Sequence, residues 1–151
     1  MPNTVRPPIR PEAIELGVVV DDWRGAVRAA GAALVRAGIA LPSYADEMIR
    51  MIDEHGPYVV IAPGLALAHA RPGPEVLANG IAIVTLATPV AFGHPHNDPV
   101  SVVLALAVAT RDAHLALVAS LANVFNDSSA VEALAAASSV EEVQRIMGPA
   151  R

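Results

Sequence analysis

The segment GPYVVIAPGLALAHARP, residues 56–72, carries the clearest structural signals in the chain. Its β-branched and aromatic residues 58–61 predict a strand, Pro63-Gly64 predicts a turn, and residues 65–68 predict a second short strand. His69 lies where this second strand ends, and the Arg-Pro-Gly-Pro run that follows it favours an exposed loop. A sheet would therefore hold His69 in place while leaving its side chain accessible.

Helices and strands are predicted on both sides of this segment. Residues 14–20 predict a strand, and Asp21-Asp22 can cap a helix that ends near Gly38. Ser43 is expected to cap a second helix, with Asp46 completing a capping box and Gly56 ending the helix. The buried faces expected for these two helices are Trp23, Val27, Ala30 and Leu34 in the first, and Tyr44, Met48, Met51 and Ile52 in the second.

Two buried strands, at residues 80–86 and 100–108, precede a helical last third. Asp112 is expected to cap the first helix of that region, and Ser139 with Glu142 forms a capping box for the final one. A short helix is expected between them, after Ser128-Ser129. The buried face expected for the helix that follows Asp112 consists of Leu115, Val118, Ala122 and Phe125. The pattern predicts an α/β (α+β) fold: a single domain with a small mixed β-sheet flanked by helices.

Composition excludes several classes of function. The 151 residues suffice for one domain, and all ten basic residues are Arg, so the chain has no lysine for a P-loop or a Schiff base. The absence of cysteine excludes disulfides, zinc fingers and thiol nucleophiles. The net charge of -5 argues against a nucleic-acid partner. Residues 1–11 are expected to form a flexible N-terminal arm and residues 12–151 the domain. The apolar runs are too short to cross a membrane, which predicts a soluble protein. Residues 1–11 do not have the apolar core of a secretory signal, which predicts a cytoplasmic one.

Histidine is the strongest nucleophile that this composition leaves, and the five histidines differ in context. His55 lies at a helix end, where a structural role is the simpler interpretation. His94 and His96, with Asp98, form an H-x-H-x-D run that could bind a divalent metal, although the ligand set is incomplete. His69 ends a strand, and His114 lies in the first turn of a helix, where free N–H groups favour an anion. The pattern alone does not show that these last two meet.

Three stretches of the sequence occur together in one known family. Residues 56–72 closely resemble the active-site segment of sugar phosphotransferase system (PTS) enzyme IIA domains of the mannitol/fructose type, nearest the ascorbate- and galactitol-like branch. Phe92-Gly93 with the run 97–100, and the stretch 110–115, follow in the order expected of that family. The resemblance covers roughly residues 12 to 147 and implies a type-2 enzyme IIA domain, a mixed sheet flanked by helices.

The resemblance also implies a function. His69 would be the phosphorylated nucleophile and His114 the residue that stabilises the phosphoryl group, with Arg71 as the candidate cation for phosphate binding. The donor would be the phosphocarrier protein HPr and the acceptor a cysteine of enzyme IIB, which serves membrane enzyme IIC; a homodimer is compatible with this role. No metal and no cofactor are required. This chain departs from the family at Ala68, where Pro is usual, and Arg50 is not clearly matched to the arginine that mannitol-type members carry upstream.

Two alternatives stand beside import of ascorbate or a related sugar acid. One is a regulatory module of the same fold, controlled by histidine phosphorylation. The other is a metal-dependent hydrolase built on His94, His96 and Asp98. The sequence does not name the sugar, because an enzyme IIA does not bind it.

Overall fold

A computed structural model describes residues 9–127 and 129–147. After a 3₁₀ turn at Pro11–Ala13, the chain forms one strand, two helices and four consecutive strands, and three helices follow. The elements are β1 Ile14–Val18, α1 Trp23–Arg36, α2 Ser43–His55, β2 Val60–Ala62, β3 Leu65–His69, β4 Gly80–Val90, β5 Val100–Ala107, α3 Arg111–Phe125, α4 Ser129–Ala135 and α5 Val140–Met147.

The five strands form one mixed sheet in the order β1-β4-β5-β3-β2. β1 runs parallel to β4, β4 antiparallel to β5, and β2 antiparallel to β3. β3 and β5 are parallel neighbours, with His69 in register with Leu106. The carboxyl ends of these two central strands therefore lie side by side. The predicted fold class, a mixed sheet flanked by helices, is confirmed.

The two faces of the sheet differ in side-chain size. The face towards α1 and α2 carries small residues such as Ala66, Ala82 and Ala105, which meet the alanine-rich side of α1. The opposite face carries Leu65, Leu104 and other large residues, which pack against α3, α4 and α5. Because side chains alternate along a strand, His69 shares the second face with Leu65 and Leu67 and so lies on the side of α3.

Two of the predicted helix caps are wrong. Pro42, not Ser43, occupies the N-cap of α2, and no side chain caps that end. Thr110, not Asp112, caps α3, because β5 ends at Ala107 and the helix begins as early as Arg111. The Thr110 hydroxyl accepts from the N–H of Ala113 at 3.1 Å.

The other predicted helix ends are confirmed, except for one of the two hydrogen bonds of the final capping box. Asp22 caps α1 by accepting from the N–H of Gly25, and Gly56 ends α2. Ser139 accepts from the N–H of Glu142. The Glu142 carboxylate reaches back to Ser138 rather than to Ser139, so the capping box is shifted by one residue.

The buried faces of α1 and α2 follow the expected spacing, but that of α3 is rotated. Leu117 and Leu121 are its buried residues, whereas Leu115 is 60% exposed and Ala122 faces solvent. Val118 and Phe125 are half-buried against the same core. Leu117 and Leu121 share a core cluster with Val131 and Leu134 of α4, so tertiary packing decides which face of α3 is buried.

Most of the predicted N-terminal arm, residues 1–8, lies outside the described residues. At its end, the Ile9 carbonyl accepts from the Gln144 side chain at 2.9 Å, and Arg10 donates to the carbonyl of Ala37 at 3.2 Å. These two bonds attach residues 9 and 10 to the domain. No helix among residues 9–127 and 129–147 is long and apolar enough to cross a membrane.

Candidate active site at the ends of β3 and β5

The topology brings His69 and His114 together although 44 residues separate them in the sequence. β3 ends at His69, and the parallel neighbour β5 leads through a short connection into α3, which carries His114 in its first turns. The two imidazole rings lie 5.1 Å apart between centroids, at an interplanar angle of 50°. The parallel pairing of the two strands is what places the start of α3 beside the end of β3.

A backbone hydrogen bond sets the tautomer of His69. Its Nδ1 lies 2.9 Å from the carbonyl oxygen of Leu67. A carbonyl oxygen only accepts, so Nδ1 carries the proton and Nε2 retains its lone pair. The Tyr58 ring, in edge-on contact at 88° and 5.7 Å, packs against the imidazole of His69. The His69 ring is thus held between Tyr58 and His114 with Nε2 as its nucleophilic atom.

The surroundings of His114 favour its neutral form. Partial burial lowers the pKa of His114, and charge on His69 lowers it further. A neutral imidazole has one N–H to donate and one nitrogen that accepts. At the start of the same helix, the N–H groups of Arg111 and Asp112 have no intrahelical partner by the geometry of an α-helix. This end of α3 therefore suits an anion.

Both histidines line a cavity of about 960 Å³. Two arginines, Arg71 from the loop after β3 and Arg111 from α3, add positive charge to it. Neither forms an ion pair with any residue in the described parts of the chain. The complete lining is Met51, His55, Tyr58, His69, Ala70, Arg71, Pro72, Ala109, Thr110, Arg111 and His114.

The cavity includes residues that the sequence analysis did not assign to it. Arg111 was missed, although it directly precedes the capping residue that we had expected, and Tyr58 was placed only in a strand. Arg50, by contrast, does not line the cavity, because the carboxylates of Glu47 and Glu54 hold its guanidinium at 2.6 and 2.8 Å on the surface of α2. The cations available to an anion in the cavity are therefore Arg71 and Arg111.

The loop with His94 and His96 lies at the other end of the sheet. Its Asn97 carbonyl accepts from the N–H of Gly64, at the start of β3 rather than beside His69. Asp98 uses its carboxylate to accept from the backbone N–H groups of residues 92–94. The His94 Nδ1 accepts from the N–H groups of His96 and Asn97.

These contacts give the H-x-H-x-D run a structural role, since the Asp98 carboxylate and Nδ1 of His94 are occupied by backbone N–H groups. Within residues 9–127 and 129–147, no group of three or more His, Asp or Glu side chains is arranged to hold a metal ion.

The fold and the cavity define a class of protein: a three-layer α/β domain in which two histidines and two arginines line one cavity at the ends of parallel strands. Comparison with known proteins identifies the family. Residues 8–148 match the family described as "Phosphoenolpyruvate-dependent sugar phosphotransferase system, EIIA 2". The chain belongs to this family and is an EIIA-type phosphotransferase.

Individual relatives agree with that assignment. An ascorbate-specific PTS system EIIA component from Shigella boydii is 34% identical over 133 residues, which cover 87% of this chain and 86% of the relative. The crystal structure of IIA mannitol from Escherichia coli has a TM-score of 0.82 and 27% identity, with coverage of 93% and 99%. The enzyme IIA in an Escherichia coli complex with phosphorylated mannitol enzyme IIB has a TM-score of 0.80 and 27% identity, with coverage of 92% and 96%.

Proposed function

We propose that this protein accepts a phosphoryl group from phospho-HPr on Nε2 of His69 and passes it to a cysteine of an enzyme IIB. The observation that carries this proposal is the hydrogen bond from Nδ1 of His69 to the carbonyl of Leu67, which leaves Nε2 as the nucleophile. The position of Nε2 in a cavity with His114 and two arginines supports it. No cofactor is needed, because phosphoryl transfer relies on positioning and charge.

The two transfers exchange bonds at one phosphorus atom. In the first, the Nε2 lone pair of His69 forms a P–N bond while the P–N bond of phospho-HPr breaks, and HPr regains its lone pair. In the second, a thiolate of enzyme IIB forms a P–S bond while the P–N bond to His69 breaks. Both steps require the two partners to approach in line through the open side of the cavity.

His114, Arg71 and Arg111 would stabilise the phosphoryl oxygens during both steps. His114 lies close enough to His69 for its N–H to reach a group on Nε2. Arg71 and Arg111 line the same cavity and offer guanidinium groups that suit a phosphoryl group. Among the residues of the cavity, His69 alone is proposed to form a covalent bond.

The comparisons support the partners and the sugar. The complex of mannitol enzyme IIA with phosphorylated enzyme IIB supports an enzyme IIB as the acceptor here. The ascorbate-specific relative supports import of ascorbate or a related sugar acid, in which enzyme IIB serves a membrane enzyme IIC. We place the protein in the cytoplasm, where this chain of transfers begins. The homodimer and the absence of a nucleic-acid partner remain predictions from the sequence.

Phosphorylation of the purified protein tests this proposal. The protein is incubated with labelled phosphoenolpyruvate, enzyme I and HPr, and His69→Ala is compared with His55→Ala, which removes another histidine of the same cavity. We expect one acid-labile, alkali-stable phosphoryl group on the wild type and on His55→Ala, and none on His69→Ala. Label retained by His69→Ala would overturn the assignment.

Transfer of the phosphoryl group to different enzyme IIB proteins distinguishes a transport component from a regulatory module. We expect the phosphoprotein to lose its label to an ascorbate-type enzyme IIB much faster than to a mannitol-type enzyme IIB. Loss to the mannitol-type protein at the same rate would contradict the proposed sugar class. If the phosphoprotein loses its label to neither enzyme IIB, the regulatory module is favoured over a transport component.

A further inference from the structure

Tyr44 places a hydroxyl group between the ends of β3 and β5. The residue lies in the first turn of α2, and its side chain is only 1% exposed. Its hydroxyl accepts from the N–H of Ala70 at 3.0 Å and donates to the carbonyl of Leu106 at 2.8 Å. Burial raises the pKa of Tyr44 to about 12, so the hydroxyl keeps its proton, and with it this donor, throughout the neutral range.

The two backbone groups that Tyr44 joins flank the nucleophile. Ala70 is the first residue after β3, directly following His69. Leu106 is the residue of β5 that pairs with His69 in the parallel register. The hydroxyl therefore connects Ala70, immediately beyond the end of β3, to Leu106, the last residue of β5 that pairs with β3. A bond at this point restricts the backbone on the C-terminal side of His69.

The orientation of the His69 ring depends on that backbone. The bond from Nδ1 to the carbonyl of Leu67 spans two residues of the same strand, so it depends on His69 keeping the strand conformation that its pairing with Leu106 maintains. If Ala70 separated from β5, the end of β3 would fray and His69 would lose this pairing. The imidazole could then leave the Leu67 carbonyl, and Nε2 would lose its defined position beside His114.

We propose that Tyr44 is a positioning residue for phosphoryl transfer, whose hydroxyl holds the end of β3 against β5 and so fixes the His69 ring with Nε2 as the nucleophile. This inference rests on the proposed function, because it takes His69 as the phosphorylated residue. Tyr44 itself does not line the cavity and acts only through the backbone of its two partners.

The variant Tyr44→Phe removes the oxygen and keeps the ring. We expect the maximal rate of phosphorylation by phospho-HPr to fall by about tenfold to a hundredfold, the size of effect caused by a misplacement of ~1 Å. The HPr concentration that gives half of this rate should not change, because the docking surface is intact. In ¹⁵N spectra of the imidazoles, the single His69 tautomer of the wild type should give way to a mixture.

Met48→Ala is the matched control for loss of stability. Met48 is fully buried on the same helix but makes no hydrogen bond to the strand ends. We expect Met48→Ala to lower the stability while the folded protein keeps the wild-type rate and the single His69 tautomer. Rates are compared at a temperature at which both variants are folded by circular dichroism.

Each outcome decides the inference. A wild-type rate and an unchanged tautomer in Tyr44→Phe would overturn it, and so would an equal slowing in Met48→Ala. If His69 of the wild type accepts no phosphoryl group, the proposed function fails. The tautomer measurement then still tests whether Tyr44 fixes the ring, because it requires no phosphoryl transfer.

Discussion

Replacing His114 tests how much the second histidine contributes to transfer. The variant His114→Ala leaves Nε2 of His69 in place, so the protein should still accept a phosphoryl group. The ring centroids are 5.1 Å apart. At this separation the N–H of a neutral His114 can reach an oxygen of a phosphoryl group on Nε2 of His69, so the variant loses one hydrogen-bond donor. Loss of one donor to a transition-state anion typically costs about 3–4 kcal/mol, which is roughly a hundredfold to a thousandfold in rate.

Rapid-quench measurement of transfer to enzyme IIB provides the assay. We expect His114→Ala to pass the phosphoryl group on about a hundredfold more slowly than the wild type, and His114→Gln, which keeps an N–H donor, to lie between them. His55→Ala is the control, because it removes a histidine from the same cavity that has no ring contact with His69. Transfer by His114→Ala at the wild-type rate would show that His114 has only a structural role.

Two further predictions concern pH and the loop at residues 92–98. Burial lowers the pKa of His114 in the folded protein, so the unfolded chain binds the proton more readily, and stability should fall as pH drops through about 6.5. Urea unfolding between pH 8 and pH 5 should show this loss in the wild type and a smaller loss in His114→Gln; equal losses would refute it. His94→Ala should lower the free energy of unfolding by about 1–2 kcal/mol, because the imidazole of His94 accepts hydrogen bonds from two backbone N–H groups. His96→Ala should lower this free energy much less. Phosphorylation of both variants should stay within a few-fold of the wild type, and EDTA should not change their melting temperature; a chelator-dependent decrease in the wild type would instead restore the metal hypothesis.

Local sequence signals predicted the elements around His69 but not their partners. Alternation, β-branched residues and Pro63-Gly64 define β2, β3 and the turn between them within a dozen residues. The meeting of His69 with His114 depends on the parallel pairing of β3 with β5, which no local pattern encodes. That pairing was accessible only through the family resemblance.

The remaining errors have similarly physical causes. Thr110 and Asp112 are both good capping residues, and the end of β5 decides between them. The helical spacing of apolar residues correctly predicted that Tyr44 lies on the buried face of α2. Its hydroxyl finds partners 26 and 62 residues away, so its role follows only from the tertiary structure. The ion pairs of Arg50 could have been predicted from the sequence, because Glu47 and Glu54 lie at helical spacing on either side of it.

The atom that carries the phosphoryl group tests the account most directly. ¹⁵N and ³¹P spectra of the protein labelled in its imidazoles, recorded after phosphorylation by phospho-HPr, identify both the histidine and the ring nitrogen. We predict a single P–N bond at Nε2 of His69, because Nδ1 donates its proton to the carbonyl of Leu67. A phosphoryl group on Nδ1 of His69, or on any other residue, would contradict the account.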